Sequence, residues 1–210
     1  YNGMVTPLTG YGIKGVLWYQ GESNRTRAAQ YRKLMPAMVK NWRTAWDCGE
    51  WPFYYVQIAP FAYGDDKGEA GLLREAQLKA MEEIPNAGMA VSMDVGTENN
   101  IHPPDKTIIA KRLLYWALAK TYGYKGVPYE GPVYRSMSVS VDTVKLTFDH
   151  AANGLTTFGK PLSDFEVAGE DKVFHPANAW ITGSGIYVKR AEQKKPVGVP
   201  YAFGAWVVGP

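Results

Sequence analysis

Five consecutive residues, Gln20, Gly21, Glu22, Ser23 and Asn24, present an amide, a flexible backbone, a carboxylate, a hydroxyl and a second amide. Acyl transfer needs a nucleophile, a base to take its proton, and donors aimed at the oxyanion that develops. Donors are abundant here, and the base has one well-placed candidate among three histidines, His102, His150 and His175. His102 follows an apolar run that ends at Asp94 and directly precedes a helical pattern, which suits a general base on a loop. His150 and His175, within FDH and VFHP, read as surface or packed histidines. Ser23 is a minor candidate for the nucleophile: Gly-Glu-Ser-Asn is not the G-x-S-x-G elbow, and a hydroxyl there can equally cap the following helix. Glu22 either orients the base, binds substrate, or forms a salt bridge with Arg25 or Arg74. Asp94 can hold an imidazole as a triad acid does, or satisfy backbone donors at a strand end. Asp94, Glu98 and His102 together match no metal-ligand spacing, and no metal or cofactor is expected.

The elements that must position these groups follow from hydrophobic period. Gly15 to Tyr19 is a β-favouring run of the kind covered on both faces in a parallel sheet. Tyr31, Leu34, Met35, Met38, Val39, Trp42 and Trp46 mark one face of a helix from Ala28 to Trp46, which Pro36 is expected to kink or split. Phe53 to Ile58 predicts a second buried strand. Leu72, Leu73, Ala76 and Ala80 predict a helix from Glu69 to Ile84, and Met89 to Met93 a third strand. Pro103 and Pro104 introduce a helix from Asp105 to about Tyr122, with Ile108, Ile109, Leu113, Trp116 and Ala119 inward. Strand and helix thus alternate three times over residues 1–125, the pattern of a parallel sheet wrapped by helices, with further strands expected upstream. Ligands of such sheets sit outside the carboxyl ends of the strands, where Gln20 to Asn24 and His102 fall.

From residue 126 the texture changes to short runs at Met137–Val141, Val144–Phe148, Phe165–Val167, Ala179–Ile181, Ile186–Val188 and Tyr201–Val208, separated by Gly- and Asn-rich turns. Residues 126–210 therefore read as an antiparallel β domain of sandwich type. The 210 residues are 46% hydrophobic and carry a net charge of +3 with basic residues scattered, so neither a nucleic-acid patch nor a membrane span is expected. Seven Trp and 14 Tyr suit sugar faces as well as a packed core. The lone Cys48 excludes an internal disulfide.

In order along the chain, IKGVLWYQGESN, NWRTAW, PFYYVQIAPF, LLREAQ, MAVSMDVG, IHPPDK, VKLTFDHAANGL, FEVAGEDKVFHPA and VPYAFGAW resemble the sialate O-acetylesterase family of SGNH-type serine esterases. That resemblance implies a flavodoxin-like three-layer α/β hydrolase domain, partial in this chain, with an appended antiparallel β domain. It implies removal of O-acetyl groups from sialic acid or a related acetylated sugar by a secreted or periplasmic carbohydrate esterase. His102 matches the family's catalytic histidine, and Gln20, Gly21 and Glu22 match a block beside its active site that suggests oxyanion or substrate contacts. The family's nucleophile is the serine of a GQSNM-like motif, expected here from an upstream segment or a second chain, so the 210 residues alone are expected to be nearly inactive. The family's usual acid three residues before the histidine is Asn99 here, which leaves either a Ser–His dyad or a role for Asp94, Glu98 or Glu22. Two alternatives stay open: an acetylxylan-type esterase, and a non-catalytic carbohydrate-binding protein whose β half displays aromatic residues.

Overall fold

A computed structural model describes residues 1–207 and 209. The chain divides into two compact units, Tyr1–Tyr129 and the residues from Glu130 onward. The first unit is built on three parallel strands, β1 (Val16–Trp18), β2 (Phe53–Val56) and β3 (Ala87–Ala90), in the order β1-β2-β3. Trp18 lies opposite Tyr55, and Tyr55 opposite Met89. Helices α1 (Ala28–Trp46), α2 (Glu69–Glu83) and α3 (Thr107–Trp116) follow the three strands in turn.

The alternation of side chains along a strand decides which helix each residue meets. Phe53 and Tyr55 point to one face, where Tyr31, Met35 and Val39 of α1 and Leu73 and Ala80 of α2 close over them. Tyr54 and Val56 point to the other, against Ile109, Leu113 and Trp116 of α3. All four residues of β2 are therefore buried, which is why the strand reads as an uninterrupted apolar run. Gly88 permits the α3 approach: a Cβ there would stand 2.5 Å from the Trp116 ring, whose Nε1–H donates to the Met89 carbonyl at 3.1 Å.

Several expectations shift. α1 runs unbroken through Pro36; proline removes one amide donor, and burial of Tyr31, Met35 and Val39 on one stripe holds the helix together regardless. The buried stripes are narrower than expected, since Leu34, Leu72 and Ile108 are exposed while the adjacent Met35, Leu73 and Ile109 fill the core. β1 is not covered on both faces, since Leu17 is 64% exposed, and among the described residues it pairs only with β2. The last helix passes at Ala117 into a wider π turn that ends at Thr121.

The second unit holds a four-stranded antiparallel sheet in the order β4 (Val133–Ser140), β5 (Thr143–Asp149), β9 (Gly185–Lys189), β8 (Asn178–Thr182), and a two-stranded ribbon of β6 (Glu166–Ala168) and β7 (Phe174–Pro176). Val144, Leu146, Ile186 and Val188 alternate inward and enclose Phe165. The strand expected at Tyr201–Val208 does not form over residues 201–207, apart from a single bridge between Phe165 and Tyr201; Val208 lies outside the described residues. Ala202 takes a positive φ of 49° and Gly204 follows, and both interrupt an extended ladder. No described helix is long and apolar enough to cross a membrane.

Candidate active site

Three loops leave the carboxyl ends of β1, β2 and β3 and touch one another. The first turns at Gly21, which is buried and takes φ 156° and ψ −26°, a conformation reserved almost entirely for glycine. A Cβ at this position would lie 2.9 Å from Ile58 Cγ2 and 3.1 Å from Gln77 Nε2, so the loop packs directly on the loop after β2. Immediately before the turn, the Gln20 carbonyl accepts hydrogen bonds from the Tyr31 hydroxyl at 3.1 Å and from Gln77 Nε2 at 3.4 Å. The Gln20 side chain donates to Asn24 Oδ1 at 2.8 Å.

Glu22 begins the 3-10 turn Glu22–Arg27 and is half-buried. Arg25 does not pair with it. The Arg25 guanidinium instead reaches Asp65, Asp66 and Glu69 at 2.8, 3.0 and 2.9 Å and lies 4.5 Å over the Tyr63 ring. This tie fastens the turn after β1 to the loop before α2. The Tyr63 hydroxyl is pushed up to about 12, by burial first and then by the negative charge of Glu22, with Arg25 and Arg74 opposing. Burial also lowers Arg74 to about 10, so its guanidinium remains charged near neutrality. Ser23 is exposed, and its carbonyl accepts from Arg27 Nη2 at 3.2 Å.

The third loop carries His102 between β3 and α3. His102 is exposed, and its backbone N–H donates to Asn100 Oδ1 at 2.9 Å. Buried Pro103 follows, and Asp105 Oδ1 accepts from the Thr107 N–H at 2.8 Å where α3 starts. Two interactions bring this loop to the others. The Lys106 ammonium sits 4.7 Å over the ring of Tyr19, next to Gln20, and the Glu98 carbonyl accepts from the Ala62 N–H at 3.0 Å. In the same loop, Asp94 has both carboxylate oxygens held at 2.7 Å by Arg112 of α3. The structure thus brings Gln20, Gly21 and Glu22 to the same sheet edge as the loop that carries Asp94, Glu98 and His102, with Asp94 held by Arg112 of α3.

Beneath this edge lies a set of buried polar side chains, Gln57, Gln77 and Ser92, that the chemical reading of the sequence did not single out, together with Arg74, which it named only as a possible partner of Glu22. Their signal was the few polar residues inside the otherwise apolar blocks PFYYVQIAPF, LLREAQ and MAVSMDVG. A concavity of about 500 Å³ lies at the opposite, amino-terminal end of the strands, lined by Lys14, Glu50, Trp51 and Lys120 among others. It contains no histidine. Among the described residues no three His, Cys, Asp or Glu side chains converge as a metal site would require.

A parallel sheet between helices, with a glycine turn, amides and a histidine gathered at its carboxyl edge, has the layout of an open-sheet α/β hydrolase. The chain belongs to the sialic acid-specific acetylesterase family of carbohydrate esterases, whose model matches residues 2–114. It is 31% identical over 169 residues to a sialate O-acetylesterase of Rattus norvegicus, an alignment spanning 71% of this chain and 31% of that protein. With the sialate O-acetylesterase of Homo sapiens the identity is 32% over 151 residues, 63% of this chain and 29% of the human protein. A crystal structure of a carbohydrate acetylesterase from Xanthomonas citri superposes with a TM-score of 0.90 at 36% identity, over 97% of this chain and 48% of that one. The chain therefore spans about a third of the curated relatives it matches and about half of that solved structure.

Proposed function

We propose that this chain supplies the general base and the oxyanion or substrate contacts of a carbohydrate O-acetylesterase acting on sialic acid or a related acetylated sugar. The observation that carries the reading is the meeting of the Gln20–Glu22 turn and the His102 loop at one sheet edge, across the Lys106–Tyr19 contact, in a chain of this family. A serine outside these 210 residues attacks the acetyl carbonyl, and His102 takes its hydroxyl proton as the new O–C bond forms. The oxyanion is met by donors of the Gln20–Gly21 turn. Collapse breaks the bond to the sugar, and His102 returns the proton to the leaving sugar oxygen. Water, deprotonated by the same imidazole, then releases acetate and restores the serine.

For the acid that orients the imidazole, the Arg112 clamp on Asp94 favours Glu22 or Glu98, or a dyad with no acid. The rat and human relatives are named for sialate esters and the Xanthomonas citri protein for carbohydrate esters more broadly, which is why the substrate is written as an O-acetylated sugar. A secreted or periplasmic location accords with such a substrate. The test is His102→Ala in the full-length protein, followed by acetate release from O-acetylated sialic acid. Turnover is expected to fall by about 10³-fold or more. Near-normal turnover overturns the assignment, and retained sugar affinity with no acetate release from the unaltered protein would make it a binding protein instead.

A further inference from the structure

Four sequence blocks each place one polar side chain on backbone atoms around the ends of β1 and β2, and two of them reach the Gln20 carbonyl. Gln77 of α2, fully buried, accepts from the Ile58 N–H at 2.9 Å through Oε1 and directs Nε2 to the Val56 carbonyl at 3.3 Å and the Gln20 carbonyl at 3.4 Å. Its own backbone is held, because its carbonyl accepts from the Tyr55 hydroxyl at 2.6 Å. Gln57 donates to the Arg74 carbonyl at 3.1 Å, and its own carbonyl accepts from the Ser92 hydroxyl at 2.5 Å. Tyr31 of α1 reaches the Gln20 carbonyl independently of Gln77. The ends of β1 and β2 are thus locked to α2 by one amide, and the start of the loop after β3 is joined to them through Ser92.

We infer that Gln77 is a positioning residue for the esterase reaction, fixing the Gln20 carbonyl and with it the direction of the Gly21 turn and its donors. This rests on the role of that turn proposed above. A buried amide is suited to the task because it offers an acceptor to Ile58 and donors to two carbonyls at once. No apolar residue satisfies the three groups, and an unpaired buried polar group is strongly disfavoured. Gln77 is fully buried and acts through the Gln20 carbonyl, so its effect is expected in turnover rather than in substrate binding.

The test is Gln77→Glu in the full-length esterase. Glutamate has the same shape and keeps the acceptor for Ile58, but its ionised form turns an oxygen toward two carbonyls. Near and above neutral pH, kcat is expected to fall about 10- to 100-fold with KM within about threefold. As pH is lowered the buried carboxyl takes up a proton, regains one donor, and the deficit relative to the unaltered enzyme narrows. Amide exchange in the peptide spanning residues 19–24 is expected to rise at neutral pH. Unchanged exchange there overturns the positioning role of Gln77. Raised exchange with unchanged kcat overturns instead the catalytic role of the Gln20–Glu22 turn, and the proposal with it. Should the glutamate variant fail to fold, Tyr31→Phe removes a single donor from the same carbonyl. Raised exchange over residues 19–24 and a fall in kcat of about a few-fold, here without the recovery at low pH, are then expected, and their absence overturns the proposal that the held Gln20 carbonyl directs the turn.

Discussion

At the scale of single residues, the structure assigns Arg25 to a different task from the one its place beside Glu22 suggests. Its side chain is only 10% exposed, and Asp66, one of its three carboxylate partners, is 6% exposed. Asp66 also accepts from the backbone N–H groups of Gly68 and Ala70 at 3.0 Å, so the guanidinium completes a preformed cradle. The carboxylates in turn raise the Arg25 pKa against the lowering effect of its burial. Arg25→Met removes the cation and leaves Asp66 charged, which is expected to lower unfolding free energy by about 2 kcal/mol in urea titration. A loss under about 0.5 kcal/mol would place the cluster with ordinary surface pairs. The sequence offers candidates for chemistry because residue type limits which groups can act as base, nucleophile or donor. Their partners were not legible in it, because Arg25–Asp66 and Gln20–Gln77 span 41 and 57 positions and no local period encodes such pairings.

Elements were legible where burial imposes a single period. β2 is covered on both faces and read correctly; α2 lies at Glu69–Glu83 against an expected Glu69–Ile84. Expectation failed where a rule of local propensity met tertiary packing, as with Pro36 inside α1, or where turn residues outweighed apolar content, as over residues 201–207. The start of α3 is the element on which the His102 loop depends. Asp105 holds it by accepting from the Thr107 N–H, and the hydrogen bonds to Thr107 keep its carboxyl below the usual carboxylate range. A depressed folded-state pKa means that the stabilisation is present above the unfolded value and is lost as pH falls through the folded one. Protection of the first-turn amides of α3, taken relative to the intrinsic exchange rate at each pH, is therefore expected to fall on acidification below the ordinary carboxylate range. In Asp105→Asn, which keeps an acceptor but does not titrate, that acid step is expected to disappear. Persistence of the step in the asparagine variant would assign it to another group.

At the scale of the whole molecule, the order of an α/β unit followed by an antiparallel unit was legible from the change of period between the two halves. The described chain places candidates for the base and for the oxyanion donors at the carboxyl edge of the parallel sheet, while the nearest serine in sequence, Ser23, is exposed on a 3-10 turn beside Arg27 and outside any G-x-S-x-G elbow. The chain matches about half of the solved acetylesterase. Residues 1–210 prepared alone are therefore expected to release acetate from an O-acetylated sugar no faster than buffer does. The full-length protein is expected to turn over and to take a fluorophosphonate label on a serine outside residues 1–210, located by peptide mass spectrometry. Label on Ser23, with acetate release by the isolated chain, would reverse this reading. The Gln20–Asn24 turn would then carry the nucleophile itself, and the Gln77 amide would be holding an attacking residue in place.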